Sequence, residues 1–314
     1  MAPGKSMKRR WSPAMLACAA LVGVALADMA SAAPPAGVQR GGNEAASAGA
    51  AGITTGRPAY QVADRSEAAA ATSAAPALGP AAANEHPLMP VLRWAASGIK
   101  DVDMIQDYSA TIAKRERING KLRNYEYMFV KLRQHPLSIY MCFLGPAELK
   151  GQEVIFAEGK NNGNMWAHGV GLQRMIGTVS LRPDGPVAMK NQRYPITELG
   201  ILNMTKRLVE VGEKDKNFGE CDVKFYKGAK INGRVCTCIE VVHPVPRKNF
   251  VFHMAQIFVD KEWNLPIRYA SYDWPHEKGG KPELMEEYTY LNLKLNNGFT
   301  DADFDIRNPS YNFR

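Results

Sequence analysis

Two stretches decide the fold: LRNYEYMFVKLR at residues 122–133 and NFVFHMAQIFVD at residues 249–260. Both are rich in the β-branched and aromatic residues that favour strands, and their apolar residues occupy both sets of alternating positions. A strand with one face in water alternates apolar and polar residues, so neither face of these two strands is predicted to be solvated. The two stretches therefore predict a curved sheet that is covered on both sides.

Further runs of the same composition continue along the chain on either side of these two. They lie at residues 108–118, 137–144, 152–158, 165–168, 221–227, 234–242, 265–273 and 284–295. Turn-forming pairs separate or follow the runs, as in short hairpin connections: Asn119-Gly120, Asn162-Gly163, Asp184-Gly185, Asn232-Gly233 and Asn297-Gly298. Ten strands in chain order predict an α+β, mainly β, domain built on one large antiparallel sheet.

Two segments have the periodicity of amphipathic helices. Pro90 opens an apolar stripe that runs to Val102. A second helix is predicted over residues 197–211, with Thr197 as N-cap and Gly212 as its end. Its apolar stripe consists of Ile201, Met204, Leu208 and Val211. Both helices need an apolar surface, and we expect them to cover the concave face of the sheet.

The first part of the chain differs in composition from the rest. Residues 1–32 combine a basic start, an apolar run and the small-residue sequence Ala30-Ser31-Ala32, the pattern of a secretory signal peptide. Residues 33–86 are rich in Ala, Gly and Pro and predict a disordered linker. We therefore expect a folded domain at 87–314, exported to the periplasm or another extracytoplasmic part of the envelope, with no integral membrane span in the mature chain. Retention of the first segment as an uncleaved anchor is the alternative.

Charge and motifs exclude several functional classes. The chain of 314 residues has a net charge of +8, but its Lys and Arg residues are scattered, which is not the pattern of a nucleic-acid-binding protein. Attraction to anionic lipid headgroups and attraction to an acidic cell-wall polymer are equally compatible with this charge. The sequence lacks the hydrolase motif G-x-S-x-G, the zinc motif H-E-x-x-H and a phosphate-binding loop, so we expect no enzyme activity and no cofactor.

The acidic residues near the end of the chain do not predict a metal site. Asp301, Asp303 and Asp305 imitate the start of a calcium loop, but Ile306 stands where that loop requires Gly, so we expect solvated carboxylates and no metal.

The cysteines leave two states open. The exported chain would carry four of them, and one disulfide is as compatible with the sequence as free buried thiols: Cys142, Cys221, Cys236 and Cys238.

Short motifs in a fixed order resemble the bacterial DUF1571 family. They include Asp107-Tyr108-Ser109-Ala110, Val130-Lys131-Leu132-Arg133, Lys150-Gly151-Gln152-Glu153, His243-Pro244 and the closing Asn308-Pro309-Ser310-Tyr311. The resemblance covers roughly residues 90 to 313. That family is similar to the periplasmic lipoprotein carriers LolA and LolB and to the regulator RseB. It implies a LolA-like fold, an incomplete antiparallel barrel with helices over an apolar cavity, and it implies no catalytic residues.

These observations lead to a functional hypothesis. We expect a non-enzymatic envelope protein that holds a lipid acyl chain or a lipidated partner between sheet and helices, with the second helix as a lid. Large side chains are the candidate cavity lining: Tyr125, Tyr127, Phe129, Ile139, Met141, Phe143, Phe252, Met254 and Tyr288. Lys131 and Arg133 are candidate rim charges for a phosphate or carboxylate. A sensor or scaffold that binds an envelope protein without a cavity is the first alternative, and an exported hydrolase the second.

Overall fold

The computed structural model describes residues 60–61, 78–277 and 279–313. The predicted signal peptide and most of the predicted linker lie outside the described residues. Within the linker range, the short strand β1 (Tyr60–Gln61) pairs with a strand of the domain, while the boundary at residue 87 remains a prediction.

The described chain forms one antiparallel sheet and two α-helices, α1 (Met89–Asp103) and α2 (Ile201–Asp215). After β1, the strands of the N-terminal half are β2 (Asp107–Ile118), β3 (Lys121–Leu122), β4 (Glu126–Arg133), β5 (Ser138–Gly145), β6 (Glu153–Ala157), β7 (Met165–His168) and β8 (Thr178–Leu181). Those of the C-terminal half are β9 (Asp222–Ile231), β10 (Arg234–Val242), β11 (Met254–Asp260), β12 (Pro266–Asp273) and β13 (Glu283–Leu295).

The sheet consists of two meanders joined in the middle. Strands β9 to β13 pair in sequence, β2 and β4 to β8 pair in sequence, and β13 pairs with β2 between the two groups. The described strands leave β1 and β8 as the two edges, so the sheet is not closed into a barrel. This arrangement confirms the predicted α+β, mainly β, class with a large antiparallel sheet.

The turn signals place the hairpins correctly. Asn232 and Gly233 both have positive φ, of 49° and 79°, and join β9 to β10 with Ile231 opposite Arg234. The same register puts Ala229 opposite Cys236, as the two-residue turn predicts. One predicted strand was too long, because residues 249–253 precede β11 and do not pair within it. The short edge strand β8 was not predicted.

All four cysteines of the described domain are free thiols. Cys236 and Cys238 point to the same side of β10, and Cys221 precedes β9 at the opposite end of that hairpin. Burial raises the pKa of the Cys236 and Cys238 thiols to about 12, so both remain protonated at neutral pH.

The main core lies on the concave face, where alternate residues of the central strands meet both helices. Ile112, Val130 and Ile139 are fully buried there and belong to the same apolar cluster as Ile201 in the first turn of α2. A second buried cluster continues the core beneath α1, around Leu92 and Ile239. Neither α1 nor α2 is long and apolar enough to cross a membrane, and the same holds for every other described helix.

Candidate functional site

An apolar cavity of about 40 Å³ lies between the two helices and strands β10 to β12. Its walls contain two polar side chains, Thr205 and Asp215. The Thr205 hydroxyl donates to the Ile201 carbonyl oxygen at 2.7 Å within α2 and is satisfied without a ligand. The apolar lining consists of Leu88, Val91, Leu92, Trp94, Ala95, Leu208, Val209, Val211, Gly212, Val241, Phe252, Ala255, Ile257 and Pro266.

Helix α1 supplies one wall because its apolar residues recur on one face. Proline in its first turn is compatible with helix formation, since the first N–H groups have no partner within a helix. Trp94 is buried, and its indole N–H donates to the Asn264 side-chain oxygen at 2.7 Å. The polar end of this large residue is therefore satisfied, and its ring remains as apolar wall.

Helix α2 begins four residues later than predicted. Its N-cap is Gly200, at φ 122°, and the Tyr108 hydroxyl accepts the N–H of Ile201 at 3.0 Å. A Cβ atom at Gly200 would lie 3.0 Å from Leu132 Cδ1 and 3.2 Å from this hydroxyl, so a side chain has no room there. The Tyr108 hydroxyl from β2 takes the capping role that was expected of Thr197. Thr197 itself lies in a separate turn.

The helix also continues past its predicted end. Gly212 was expected to terminate it, but Gly212 is buried and helical because α2 passes close to α1 there. A Cβ atom at this position would lie 2.8 Å from Leu92 Cδ2. The glycine thus serves helix–helix packing and not termination.

A buried carboxyl–imidazole pair closes one end of the cavity. Asp215 Oδ2 lies 3.4 Å from His243 Nε2, and both residues are almost completely buried. His243 Nδ1 lies 3.1 Å from the Phe252 carbonyl oxygen, which can only accept, so Nδ1 carries a hydrogen. In the neutral ring, Nε2 therefore carries no hydrogen and faces Asp215 as an acceptor. In the protonated ring, Nε2 carries a hydrogen and faces Asp215 as a donor.

Burial sets the protonation of this pair. Burial raises the pKa of Asp215 to about 6, although the positive charges of His86 and Lys214 act to lower it. It lowers the pKa of His243 below its ordinary value. Both shifts favour the neutral forms, and Asp215 is protonated below about pH 6. Cys221 is buried close to the same aspartate, and burial raises the pKa of its thiol to about 12, which makes it a poor nucleophile.

The structure brings some of the predicted lining residues to this cavity and places others elsewhere. Phe252 lines the cavity, together with Leu208 and Val211 of the predicted lid. Ile201 and Met204 contact the main concave core, as do three of the predicted lining residues, Ile139, Met141 and Phe143. Met254 is half-buried and alternates with Ala255, whose side chain lines the cavity, so Met254 points to the other face.

Tyr288 belongs to a polar network on the concave face. Its hydroxyl donates to Glu116 Oε1 at 2.5 Å, and Glu116 also accepts the backbone N–H of Arg193 at 3.2 Å. Arg193 pairs with Glu286 at 2.7 Å, which fixes the connection between β8 and α2 against the sheet. This network separates Tyr288 from the apolar cavity.

The remaining predicted lining residues lie on the outer face of the sheet. Phe129 shares this face with Tyr127 by strand alternation, and the Tyr125 and Tyr127 rings are 6.1 Å apart. The Tyr125 hydroxyl is hydrogen-bonded to Glu287, which forms a fully buried ion pair with Arg268 at 2.5 Å. These aromatic residues belong to a packed outer surface.

Lys131 and Arg133, the predicted rim charges, also lie on the outer face. The C-terminal segment (residues 296–313) covers them there, with Asp303 pairing Lys131 at 2.8 Å and Asp301 pairing Arg133 at 2.8 Å. Burial alone would lower the pKa of Lys131, but hydrogen bonds to Asp303 and Tyr311 raise it. Asp305 pairs with Arg307, so each carboxylate of the calcium-like sequence has a basic partner.

Two buried carboxylates fasten the C-terminal segment at both ends, and neither was predicted from the sequence. Asp107 accepts the backbone N–H groups of Asn297, Gly298 and Phe299. At the other end, Glu153 accepts the N–H of Asn312 at 2.7 Å. Four aromatic residues after the last strand were the available signal, and they pack against the outer face: Phe299, Phe304, Tyr311 and Phe313.

The family described as "Protein of unknown function (DUF1571)" matches residues 105–313, which is more than half of the chain. The chain belongs to the DUF1571 family. The predicted membership is thereby confirmed, and the match begins at residue 105 instead of about residue 90. No curated protein matches this DUF1571 protein.

Several solved structures are similar to it at low sequence identity. A putative outer membrane lipoprotein-sorting protein domain from Vibrio parahaemolyticus is 14% identical, covers 68% of this chain and 95% of its own, and gives a TM-score of 0.33. A LolA superfamily protein from Nitrosomonas europaea is 12% identical, with 67% and 97% covered and a TM-score of 0.28. The Mycobacterium tuberculosis lipoprotein LppX is 12% identical, with 69% and 100% covered and a TM-score of 0.40.

Proposed function

We propose that this DUF1571 protein is a non-enzymatic envelope protein that holds a lipid acyl chain, free or attached to a lipoprotein, between α1, α2 and the concave face. The observation that carries the proposal is the composition of the cavity. Its walls are apolar apart from Thr205, which is satisfied within its helix, and Asp215 at one end. Such a lining favours a hydrocarbon chain over a polar substrate.

The size of the cavity indicates how a chain would enter. About 40 Å³ is space for roughly three water-sized groups, which is too small for an acyl chain. Binding therefore requires α2 to move away from the sheet. The part of α2 that lines the cavity is only half-buried, at Leu208, Val209 and Val211. It therefore loses less apolar contact on opening than the first turn would, where Ile201 and Leu202 are buried.

The predicted export signal supports an envelope location, and the absence of a catalytic arrangement supports a binding role. Cys221 belongs to the buried cluster beneath α1, and its raised pKa makes it a poor nucleophile. Among the described residues, no three His, Cys, Asp or Glu side chains are arranged to hold a metal ion. We therefore infer retention and release of a chain as the activity.

Mass spectrometry under native conditions, followed by lipid extraction from the purified protein, tests the proposal directly. We expect a co-purifying lipid, or saturable binding of a fluorescent fatty acid after delipidation. Protein that is free of lipid and does not bind the fatty acid would favour the scaffold alternative.

A pair of variants on α2 separates a movable helix from a solid core. Leu208→Glu places a carboxylate in the cavity wall, whereas Lys206→Glu introduces the same charge on the exposed side of the helix. In a carrier, Leu208→Glu keeps a cooperative thermal transition and loses fatty-acid binding, while Lys206→Glu retains both. Loss of the transition in Leu208→Glu alone would instead indicate a closed core that cannot tolerate a buried charge.

A further inference from the structure

The connection between β7 and β8 exposes the largest cluster of apolar side chains in the described chain. Leu172 and Met175 are each 86% exposed and Ile176 is 71% exposed. They lie within a 3₁₀-helix, Gly171–Ile176, whose six residues are all exposed. Scattered apolar residues on a surface need no explanation, but three such residues within one turn mark an interaction site.

The geometry of this segment, which we name the tip (residues 171–176), is convex. In a 3₁₀-helix, residues three apart lie above one another, so Leu172 and Met175 share one edge. The tip projects from the hairpin that ends the sheet at β8. Its base is held in place, because His168 is buried with its ring 6.4 Å from that of Phe313.

The charge around the tip is basic. No Asp or Glu occurs between Glu158 and Asp184, while this interval contains Lys160, Arg174 and Arg182. Arg182 pairs with Asp184 at 2.9 Å, so Lys160 and Arg174 carry the basic charge of the interval. Arg174 lies within the tip itself, is exposed, and forms no ion pair with any described residue. The net charge of +8 falls to +5 when residues 1–32, with four Lys and Arg residues and Asp28, are removed, and this positive charge adds a long-range attraction to an anionic surface.

We propose that the tip inserts into the interfacial region of an anionic lipid bilayer, with Leu172, Met175 and Ile176 among the acyl chains and Arg174 at the phosphate level. A convex apolar turn beside a basic residue fits a flat, deformable, negatively charged surface. A protein partner would need a matching groove, and no feature of the tip specifies one. This inference does not depend on the cavity, because membrane docking and chain binding use different residues.

Two measurements on the full chain test the proposal with vesicles of phosphatidylglycerol and phosphatidylcholine. In a co-sedimentation assay, the double variant Leu172→Asp/Met175→Asp should bind at least about tenfold more weakly than the parent, since two apolar side chains no longer enter the bilayer. The control Met104→Asp/Val251→Asp changes two exposed apolar residues elsewhere, at 77% and 55% exposure, and should bind as the parent does. Arg174→Gln should weaken binding about fivefold.

A fluorophore reports insertion even if the N-terminal segment also binds lipid. An environment-sensitive dye is attached to Met175→Cys or, as control, to Val251→Cys, each in a Cys18→Ser/Cys142→Ser background, since Cys142 is only half-buried. The buried native thiols have raised pKa values and react slowly. We expect a blue shift on vesicle addition at position 175 only. No shift at 175, an equal shift at 251, or equal vesicle binding by both double variants would overturn the proposal, whether or not the cavity binds a fatty acid.

Discussion

The two faces of the sheet are covered in different ways. On the outer face, the C-terminal segment is fastened by directed polar contacts: Asp107 accepts three backbone N–H groups, and ion pairs join Lys131 to Asp303 and Arg133 to Asp301. On the concave face, α1 and α2 rest on apolar side chains, and a small cavity remains between them and the sheet.

This difference indicates which of the two covers, the C-terminal segment or the helices, is able to move. Hydrogen bonds depend on direction and distance, and a buried carboxylate that loses its partners is costly, so the C-terminal segment has one position. Apolar contact does not depend on direction, and a helix displaced by a ligand exchanges one set of apolar neighbours for another. The comparison therefore assigns a static role to the outer cover and an adaptable role to the helices.

The largest expected effect tests the outer cover. Asp107→Ala removes the acceptor of the N–H groups of Asn297, Gly298 and Phe299, and we expect a loss of about 3–5 kcal/mol in the free energy of unfolding. Denaturant titration measures this loss. Asp301→Ala is the matched control, since that side chain is 76% exposed, and it should cost at most about 1 kcal/mol. Equal stability of the two variants would remove the distinction between the covers.

A smaller effect concerns the buried polar end of the helical cover. Because burial raises the pKa of Asp215 from 3.8 to about 6, its contribution to stability is fully present below pH 3.8 and is lost as the pH rises through 6. His243, with its lowered pKa, has the opposite sign, since its protonation below about 6.5 destabilises the fold. The two contributions oppose each other in the parent protein.

The variant Asp215→Asn isolates the carboxyl contribution. Between pH 4 and 7 the parent should lose up to about 3 kcal/mol relative to this variant, as measured by urea unfolding at each pH. A difference between parent and variant that stays constant with pH would show that Asp215 has an ordinary pKa and that the cavity end is solvated.

The smallest expected effect concerns the helix contact. Gly212→Val places a side chain where Leu92 Cδ2 would lie 2.8 Å from the new Cβ atom, so α2 must shift away from α1. If the helical cover is adaptable, the cost is about 1–2 kcal/mol, below that of Asp107→Ala, and an apolar dye gains access to the cavity. Glu213→Val, at the adjacent exposed position, serves as control for composition. A loss as large as that of Asp107→Ala would indicate that both covers are rigid.

Much of the sheet was predictable because strands are rich in β-branched and aromatic residues over short stretches of sequence. The run at 234–242 was predicted at its observed limits, and Asn232-Gly233 fixed the register of its hairpin. Strand β8, Thr178–Leu181, was missed because it contains no aromatic residue, unlike the equally short β7, which has Trp166. The start of α2 was misplaced because its cap is the Tyr108 hydroxyl, which is distant in the sequence.

The candidate site was less predictable than the fold, since alternation shows which residues share a face but not which face has the cavity. Lys131 alternates with Val130 and Leu132, so its separation from the core was visible in the sequence. Its partner Asp303 is 172 residues away, and only the folded chain brings the two together. Of the predicted lining residues, Phe252 lies in the cavity wall, and Leu208 and Val211 of the predicted lid lie there too, while their part in binding stays a prediction.

The pairing of β13 with β2 has a consequence for biogenesis. The central ladder of the sheet joins Thr289 to Ala113 and Tyr290 to Ile112, so β2 needs a partner that lies far along the chain. Before β13 joins the sheet, β2 and β12 each have an unpaired edge, which is open to pairing with other chains. The described sheet is therefore complete only after β13 has been made, and chaperone protection is needed most while β2 lacks its neighbour.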